Sequence, residues 1–265
     1  MKTYYYVHTG HRIGLDRFRR ATTILRALKD EDITLLCSDF RIAQIARDFG
    51  IDDCVGVDVV RNIPYIAHHG DKLIFDSDEA NPIMLEDMKN FFSTFVHIKT
   101  NEIVVDEKYF EKKEKTIPLA FFFGDDDYEK DMQEFIPLLQ ELDACVLLGF
   151  YYFLDYEDFI KENINNTYEF EDYDEVITKS EVLITASPQA TLECLASGGK
   201  PIFIQRDDYP TEFNEIFEKL NIPIVYISDK KLLKEQISII NANNYNNIDI
   251  NSNKIVEIIK ESLTL

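Results

Sequence analysis

The chain has 265 residues, 45% of them apolar, and a formal net charge of −21. That length and apolar share give room for one large or two modest domains with a packed core. The acidity excludes general affinity for nucleic acid or anionic lipid and leaves a basic protein as the macromolecular partner to expect.

From the N-terminus, Thr3–Val7 reads as a strand, His8-Thr9-Gly10-His11 as a turn, and about Gly14–Lys29 as a helix. Strand Ile33–Cys37, helix Arg41–Phe49 stopped by Gly50, and a short strand near Cys54–Val57 follow. Leu73–Phe75 is a strand, Pro82–Phe92 a helix and Thr94–Ile98 a strand. The charged run Glu111–Lys115 is the expected linker, placing domains at 1–112 and 116–265. In the second half, strand Leu119–Phe123 leads through Gly124-Asp125-Asp126-Asp127 into a helix ending near Leu142. Strand Ala144–Gly149, helix Asp155–Glu162, a short strand Thr167–Phe170 and helix Tyr173–Lys179 come next. Helix Glu212–Leu220, strand Ile224–Ile227, an Asn-rich loop Ile239–Asn253 and a terminal helix Asn253–Leu263 close the chain. This last helix is a segment that can pack back. Short apolar strands alternating with amphipathic helices predict parallel sheets.

No run of about 20 apolar residues would span a membrane. The start MKTYYYVHTGHR has no signal-peptide layout. Cys37, Cys54, Cys145 and Cys194 are scattered without a CxxC pair, the pattern of free thiols in a reducing cytoplasm, which is the expected location.

The densest chemical signal is 181–204, EVLITASPQATLECLASGGKPIFI. Val182–Ala186 is a strand, Ser187-Pro188 breaks it, a helix pattern runs from Thr191 through Leu195, and Ser197-Gly198-Gly199 ends it before strand Pro201–Ile204. This β-α-β unit presents a helix N-terminus at a strand's carboxyl end, where backbone N–H groups and the helix dipole suit a phosphate. Glu193 is expected in the first helical turn, able to cap it or to accept ribose hydroxyls. Ser197–Pro201 is not a P-loop, and no GxSxG elbow occurs.

The second signal is basic. Arg12, Arg17, Arg19 and Arg20 cluster at a β-to-α turn, with Gly10 and Gly14 allowing close backbone approach. Arginine forks suit phosphate or carboxylate; the bland reading is a solvated helix face. His8 and His11 flank the same turn, and either can serve as general base. No partner set at metal-ligand spacing accompanies them, so no metal is expected there. Asp125–Asp127 would repel a bare pyrophosphate, which leaves an exposed acidic helix start as the preferred reading and Mg²⁺ binding as the other.

The 182–204 unit, with Leu119–Gly124 before it and Asp207–Ile227 after it, resembles the C-terminal domain of GT-B glycosyltransferases. Within that superfamily the chain is most similar to the UDP-sugar hydrolase of bacterial pseudaminic-acid synthesis and to spore-coat-polysaccharide glycosyltransferases. The family's first turn reads I-G-x-G-H-x-x-R. Here it is Ile13-Gly14-Leu15-Asp16-Arg17-Phe18-Arg19-Arg20, with Arg17 at the catalytic histidine position.

The resemblance implies a fold: α/β, GT-B type, with two Rossmann-like domains and an interdomain cleft. It also implies a function in bacterial glycan synthesis, the use of UDP or a UDP-sugar as ligand with no cofactor required. Gly124, Ser187, Gln189, Ala190, Thr191 and Glu193 would hold the nucleotide. Gly10, Gly14, Arg17 and Arg20 would face phosphate or sugar, and His11 would be the base. Arginine stays protonated near pH 7, so Arg17 argues against the hydrolase reaction itself. A fold-retaining binding or scaffold protein is the competing reading.

Overall fold

The computed structural model describes residues 1–10, 13–249 and 254–264. The chain divides into two compact units, Met1–Val104 with the C-terminal helix, and residues 105–249.

The first unit holds strands β1 (Thr3–Val7), β2 (Ile33–Cys37), β3 (Cys54–Gly56), β4 (Lys72–Asp76) and β5 (Thr94–His97). All are parallel, in the order β3-β2-β1-β4-β5. Helix α1 (Asp16–Ala27) buries Phe18, Ala21 and Ile24. Helix α2 (Phe40–Ile45) starts at Asp39, whose carboxylate accepts from Arg41 N, and passes into a 3₁₀ turn that ends at Gly50. Short α3 (Ile63–Ile66) and α4 (Pro82–Phe91) follow; α4 is capped by Asn81. Tyr4, Tyr6, Leu36, Leu73 and Phe75 share one core with Met88 and Phe92. The central strand reads TYYYV because its phenols have partners: Tyr5 donates to Asp76 and Tyr6 to Glu79.

The second unit holds β6 (Ile117–Phe122), β7 (Cys145–Leu147), β8 (Thr167–Tyr168), β9 (Ser180–Thr185), β10 (Lys200–Gln205) and β11 (Ile224–Tyr226). Their parallel order is β11-β10-β9-β6-β7-β8. Numbered within the unit, that is the doubly wound arrangement 6-5-4-1-2-3. Helices α5 (Ile136–Glu141), α6 (Leu154–Asn163), α7 (Tyr173–Lys179), α8 (Pro188–Ala196), α9 (Asn214–Lys219) and α10 (Lys230–Ile239) complete it. Both sheet faces are covered, so the strands are continuously apolar rather than alternating. Phe121 and Phe123 join the core with Phe135 and Ile184, while Phe122 on the opposite face meets the Tyr173 ring.

Several boundaries differ from expectation. The segment expected as linker, 111–115, lies inside the second unit, and the division falls between Val104 and Val105. Lys115 ties that segment down by donating to Thr178 O (2.8 Å) and Ser197 Oγ (3.1 Å). Terminal helix α11 (Lys254–Thr264) groups with the first unit, where Lys72 Nζ donates to Leu263 O. The expected single helix to Leu142 is a 3₁₀ turn, Asp131–Phe135, followed by α5, with Pro137 in its first turn.

Helix α10 has no counterpart in the sequence reading. It buries Leu233 and packs Leu232 and Ile237 against the second unit's core, starts at the Asp229 cap, and carries the exposed ion pairs Lys230–Glu134 and Lys234–Glu141 (2.7 Å each). Partners 93 and 96 residues away carry no local signal. Among the described residues no helix is long and apolar enough to cross a membrane.

Candidate functional site

In an open parallel sheet the crevice beyond the carboxyl ends of the strands, at the point where strand order reverses, is where ligands bind. Each unit has one such point.

In the first unit it lies between β1 and β4. The turn leaving β1 is pinned by Ser38, which accepts from Thr9 N (2.7 Å) and donates to Thr9 O (2.8 Å). Gly10 and Gly14 close it with an N–H···O bond of 2.9 Å. His8 sits on the β1 side. Its Nδ1 is 3.3 Å from Asp78 Oδ1 and 3.7 Å from Glu79 Oε2. Glu79 is itself held by Tyr6 OH (2.6 Å) and Ser77 OH (3.0 Å). Arg17 reaches the same Asp78 oxygen at 2.9 Å. Hydrogen bonds from His8 and then Arg17 hold the Asp78 carboxyl well below the usual carboxylate range.

Arg20 was expected to face a ligand. It is turned inward: Nε donates to Asp76 Oδ2 (3.0 Å), one terminal nitrogen pairs with Asp76 Oδ1, and the other serves the carbonyls of Lys99, Thr100 and Glu102. Its side chain is a clamp of the fold. Arg17 is bound to Asp78 with its side chain 11% exposed. His11, the expected base, and Arg12 lie outside the described residues.

In the second unit order reverses between β6 and β9. Gly124 follows β6 with φ +117°, a conformation that disfavours any side chain. The loop continues through Asp125, Asp126 and Asp127, which are 2%, 0% and 4% exposed. The expected exposed acidic helix start is therefore a buried turn. Asp127 caps the 3₁₀ segment by accepting from the N–H groups of Asp131 (2.8 Å) and Met132 (3.0 Å), and from Tyr156 OH. Burial nevertheless pushes its carboxyl above the ordinary value.

Arg206, at the carboxyl end of β10, supports this loop. Its guanidinium donates to Asp126 O (2.6 Å), pairs with Asp208 (2.7 Å), and lies between the rings of Phe123 and Tyr209, 4.9 and 4.3 Å away. Sequence reasoning passed over it. Its one signal is an arginine directly after an apolar strand.

Across from Gly124, helix α8 begins at Pro188. Ser187 is its N-cap: Oγ accepts from Ala190 N (3.0 Å), and Thr191 Oγ1 donates to Ser187 O (2.8 Å). Thr185 Oγ1 accepts from Ser187 N (3.0 Å). Proline at the first helical position costs no hydrogen bond, so the helix starts three residues before the expected Thr191. That puts Glu193 in the second turn rather than the first. It is 1% exposed, and its oxygens accept from Tyr173 OH and Gln189 Nε2, both at 2.7 Å. Glu193 thus orients Gln189, the second residue of the helix.

The structure therefore gathers Gly124, Ser187, Gln189, Ala190, Thr191 and Glu193 at one switch point, and Gly10, Gly14 and Arg17 at the other. Among the described residues no group of three or more His, Cys, Asp or Glu is placed to hold a metal ion.

No protein-family model matches the chain. No curated protein matches it either. Solved structures do. The UDP-GlcNAc 2-epimerase of Methanocaldococcus jannaschii, in complex with UDP-GlcNAc and UDP, is similar at TM-score 0.63 and 13% identity, covering 98% of this chain and 100% of that one. A glycosyltransferase from Rickettsia africae gives TM-score 0.54 at 12% identity over 99% and 98% of the two chains. MurG from Acinetobacter baumannii gives 0.51 at 11% over 98% and 100%. The fold is thus the GT-B type, two Rossmann-like α/β domains with parallel sheets, as the sequence led us to expect.

Proposed function

We propose that this protein binds a nucleotide sugar, a UDP-sugar by preference, and uses it as a glycosyltransferase or nucleotide-sugar hydrolase of bacterial glycan synthesis. The observation that carries the reading is the second unit's switch point, where the Gly124 turn and the Ser187-capped start of α8 leave neighbouring strands, each two residues beyond the paired Phe122 and Thr185. A helix N-terminus beside a glycine turn presents the positive end of its dipole to a diphosphate without a metal, so no cofactor is invoked. UDP or UDP-GlcNAc in the similar epimerase structures supports the choice of nucleotide.

The first unit has a candidate base of its own, His8. When its Nδ1 proton is shared with Asp78, the Nε2 lone pair is free to take a proton from an acceptor hydroxyl or water. Asp78 then stabilises the imidazolium. Arg17, bound to Asp78, orients that carboxylate and does not act as a base.

The test is thermal unfolding with millimolar UDP, UDP-GlcNAc or AMP, paired with a UDP-release assay. A ligand at 100 times its Kd adds about 2.7 kcal/mol. Stabilisation by uridine compounds, with turnover lost in His8→Gln but stabilisation kept, is the expected result. Stabilisation without turnover in the unaltered protein would favour the binding or scaffold reading. No stabilisation by any uridine compound would overturn the proposal.

A further inference from the structure

Cys37 ends β2 and Cys54 begins β3, the neighbouring edge strand. In the register of this parallel pair Leu35 faces Cys54 and Cys37 faces Gly56. The two cysteines are diagonal neighbours on the same sheet face, because positions 35 and 37 point the same way. Their Sγ atoms are 3.2 Å apart. The other two cysteines, Cys145 and Cys194, have no sulfur partner among the described residues.

The two thiols differ in access. Cys37 is fully buried and Cys54 partly exposed. The sulfur contact and then burial push the Cys37 thiol far above its ordinary value. An attacking reagent therefore meets Cys54 first, and Cys37 lies behind it. That is the arrangement of an attacking and a resolving thiol.

We propose that Cys37 and Cys54 form a reversible dithiol–disulfide pair that exchanges with small-molecule disulfides of the glutathione type. The Cys54 thiolate attacks one sulfur of the small disulfide, forming a mixed disulfide and expelling one thiolate. Cys37 attacks the Cys54 sulfur and expels the second thiolate, which takes up the Cys37 proton as it leaves. Two protein thiols are oxidised, one small disulfide is reduced to two thiols, and the electrons balance.

Closing the bond brings the sulfurs from 3.2 Å to about 2.05 Å, and diagonal pairing requires the edge strand to shift along its neighbour. β3 can do so: it has three residues and one sheet neighbour. The shift has a direct route onward. Cys37 O accepts from Val57 N (2.7 Å), and the next residue, Ser38, pins the turn carrying Thr9. The inference does not depend on the nucleotide reading.

The experiment equilibrates the full chain in glutathione buffers of increasing oxidised fraction, quenches in acid, alkylates, and maps peptides by mass spectrometry. The expected product is a 37–54 cross-linked peptide that dithiothreitol reverses, with Cys145 and Cys194 still alkylated. Cys54→Ser should leave Cys37 reduced and unmodified, because the buried thiol has lost its entry partner. A stable glutathione adduct on Cys54 with no cross-link, or oxidation of Cys145 at the same poise as the pair, would overturn the proposal. Circular dichroism of both forms separates exchange in the fold from exchange after unfolding; a cross-link formed only in unfolded chain also overturns it.

Discussion

Arg20 and Asp76 form a buried forked ion pair at the centre of the first unit, with Nε to Oδ2 at 3.0 Å and a second contact from the terminal nitrogen to Oδ1. Tyr5 OH adds a bond to Oδ2 at 2.9 Å. The remaining guanidinium donors close on three carbonyls of the chain after β5. One side chain thus joins α1 to β4 and to segment 99–102. A buried charge is tolerable only when nearly every lone pair and proton has a partner, as here.

Removing one member leaves the other charge buried and alone. Arg20→Ala should cost about 3–5 kcal/mol, and Arg20→Lys should recover only part, since an ammonium cannot copy the fork. Urea unfolding of both variants and of Arg20→Ala/Asp76→Asn checks this. The double variant should lose less than the sum of the singles.

Asp78 makes stability depend on acid. Its pKa in the folded chain is depressed, so its contribution is fully present above the unfolded value of about 3.9 and is lost as pH falls below it. Asp78→Asn should flatten the stability curve between about pH 2 and 4 and lower the plateau above that range towards the acid value. Because the side chain is half exposed, the effect should shrink in high salt.

Gly149 follows β7 and is fixed by its neighbours. A Cβ there would come within 2.5 Å of Gly124 O and 2.7 Å of Asp125 O, both backbone atoms. Tyr151 N already binds Asp125 O at 2.8 Å, so the loop has little room to retreat. Gly149→Ala should destabilise by about 1–3 kcal/mol and weaken any ligand of the Gly124 turn. Thermal melts with and without UDP separate the two effects.

Ser187 is the cap of α8 and holds Ala190 N. Ser187→Ala should cost about 0.5–2 kcal/mol, and Ser187→Asp should restore most of it. In the proposed nucleotide site the Asp variant would also place a negative charge where a diphosphate is expected. Restored stability with lost UDP binding is the anticipated combination, read by differential scanning calorimetry and titration calorimetry.

Much of the second unit's switch point was legible in the sequence. Ser187-Pro188 and Ser197-Gly198-Gly199 bracket α8 because capping and left-handed backbone are local properties. The helix start slipped by three residues because proline was read as a breaker when it is also the best first residue. The Glu193 carboxylate, which the sequence leaves as a helix cap or a ribose acceptor, accepts from Tyr173 and Gln189. Burial of Asp125–Asp127 could not be foreseen, since the charge that underlies the turn is Arg206, 80 residues on from Asp126.

The sequence alone determined the order of the strands and of most helices, and the glycine and serine turns that end them, because backbone preference and apolar periodicity act over a few residues. Tertiary structure decided what each polar side chain is for. Arg20 faces Asp76 and not solvent, Arg206 lies under the acidic loop, and Cys37 touches Cys54. These partners are 56, 80 and 17 residues apart. Strand order and register bring them together, and only then does the cost of an unpaired buried charge choose the pairing.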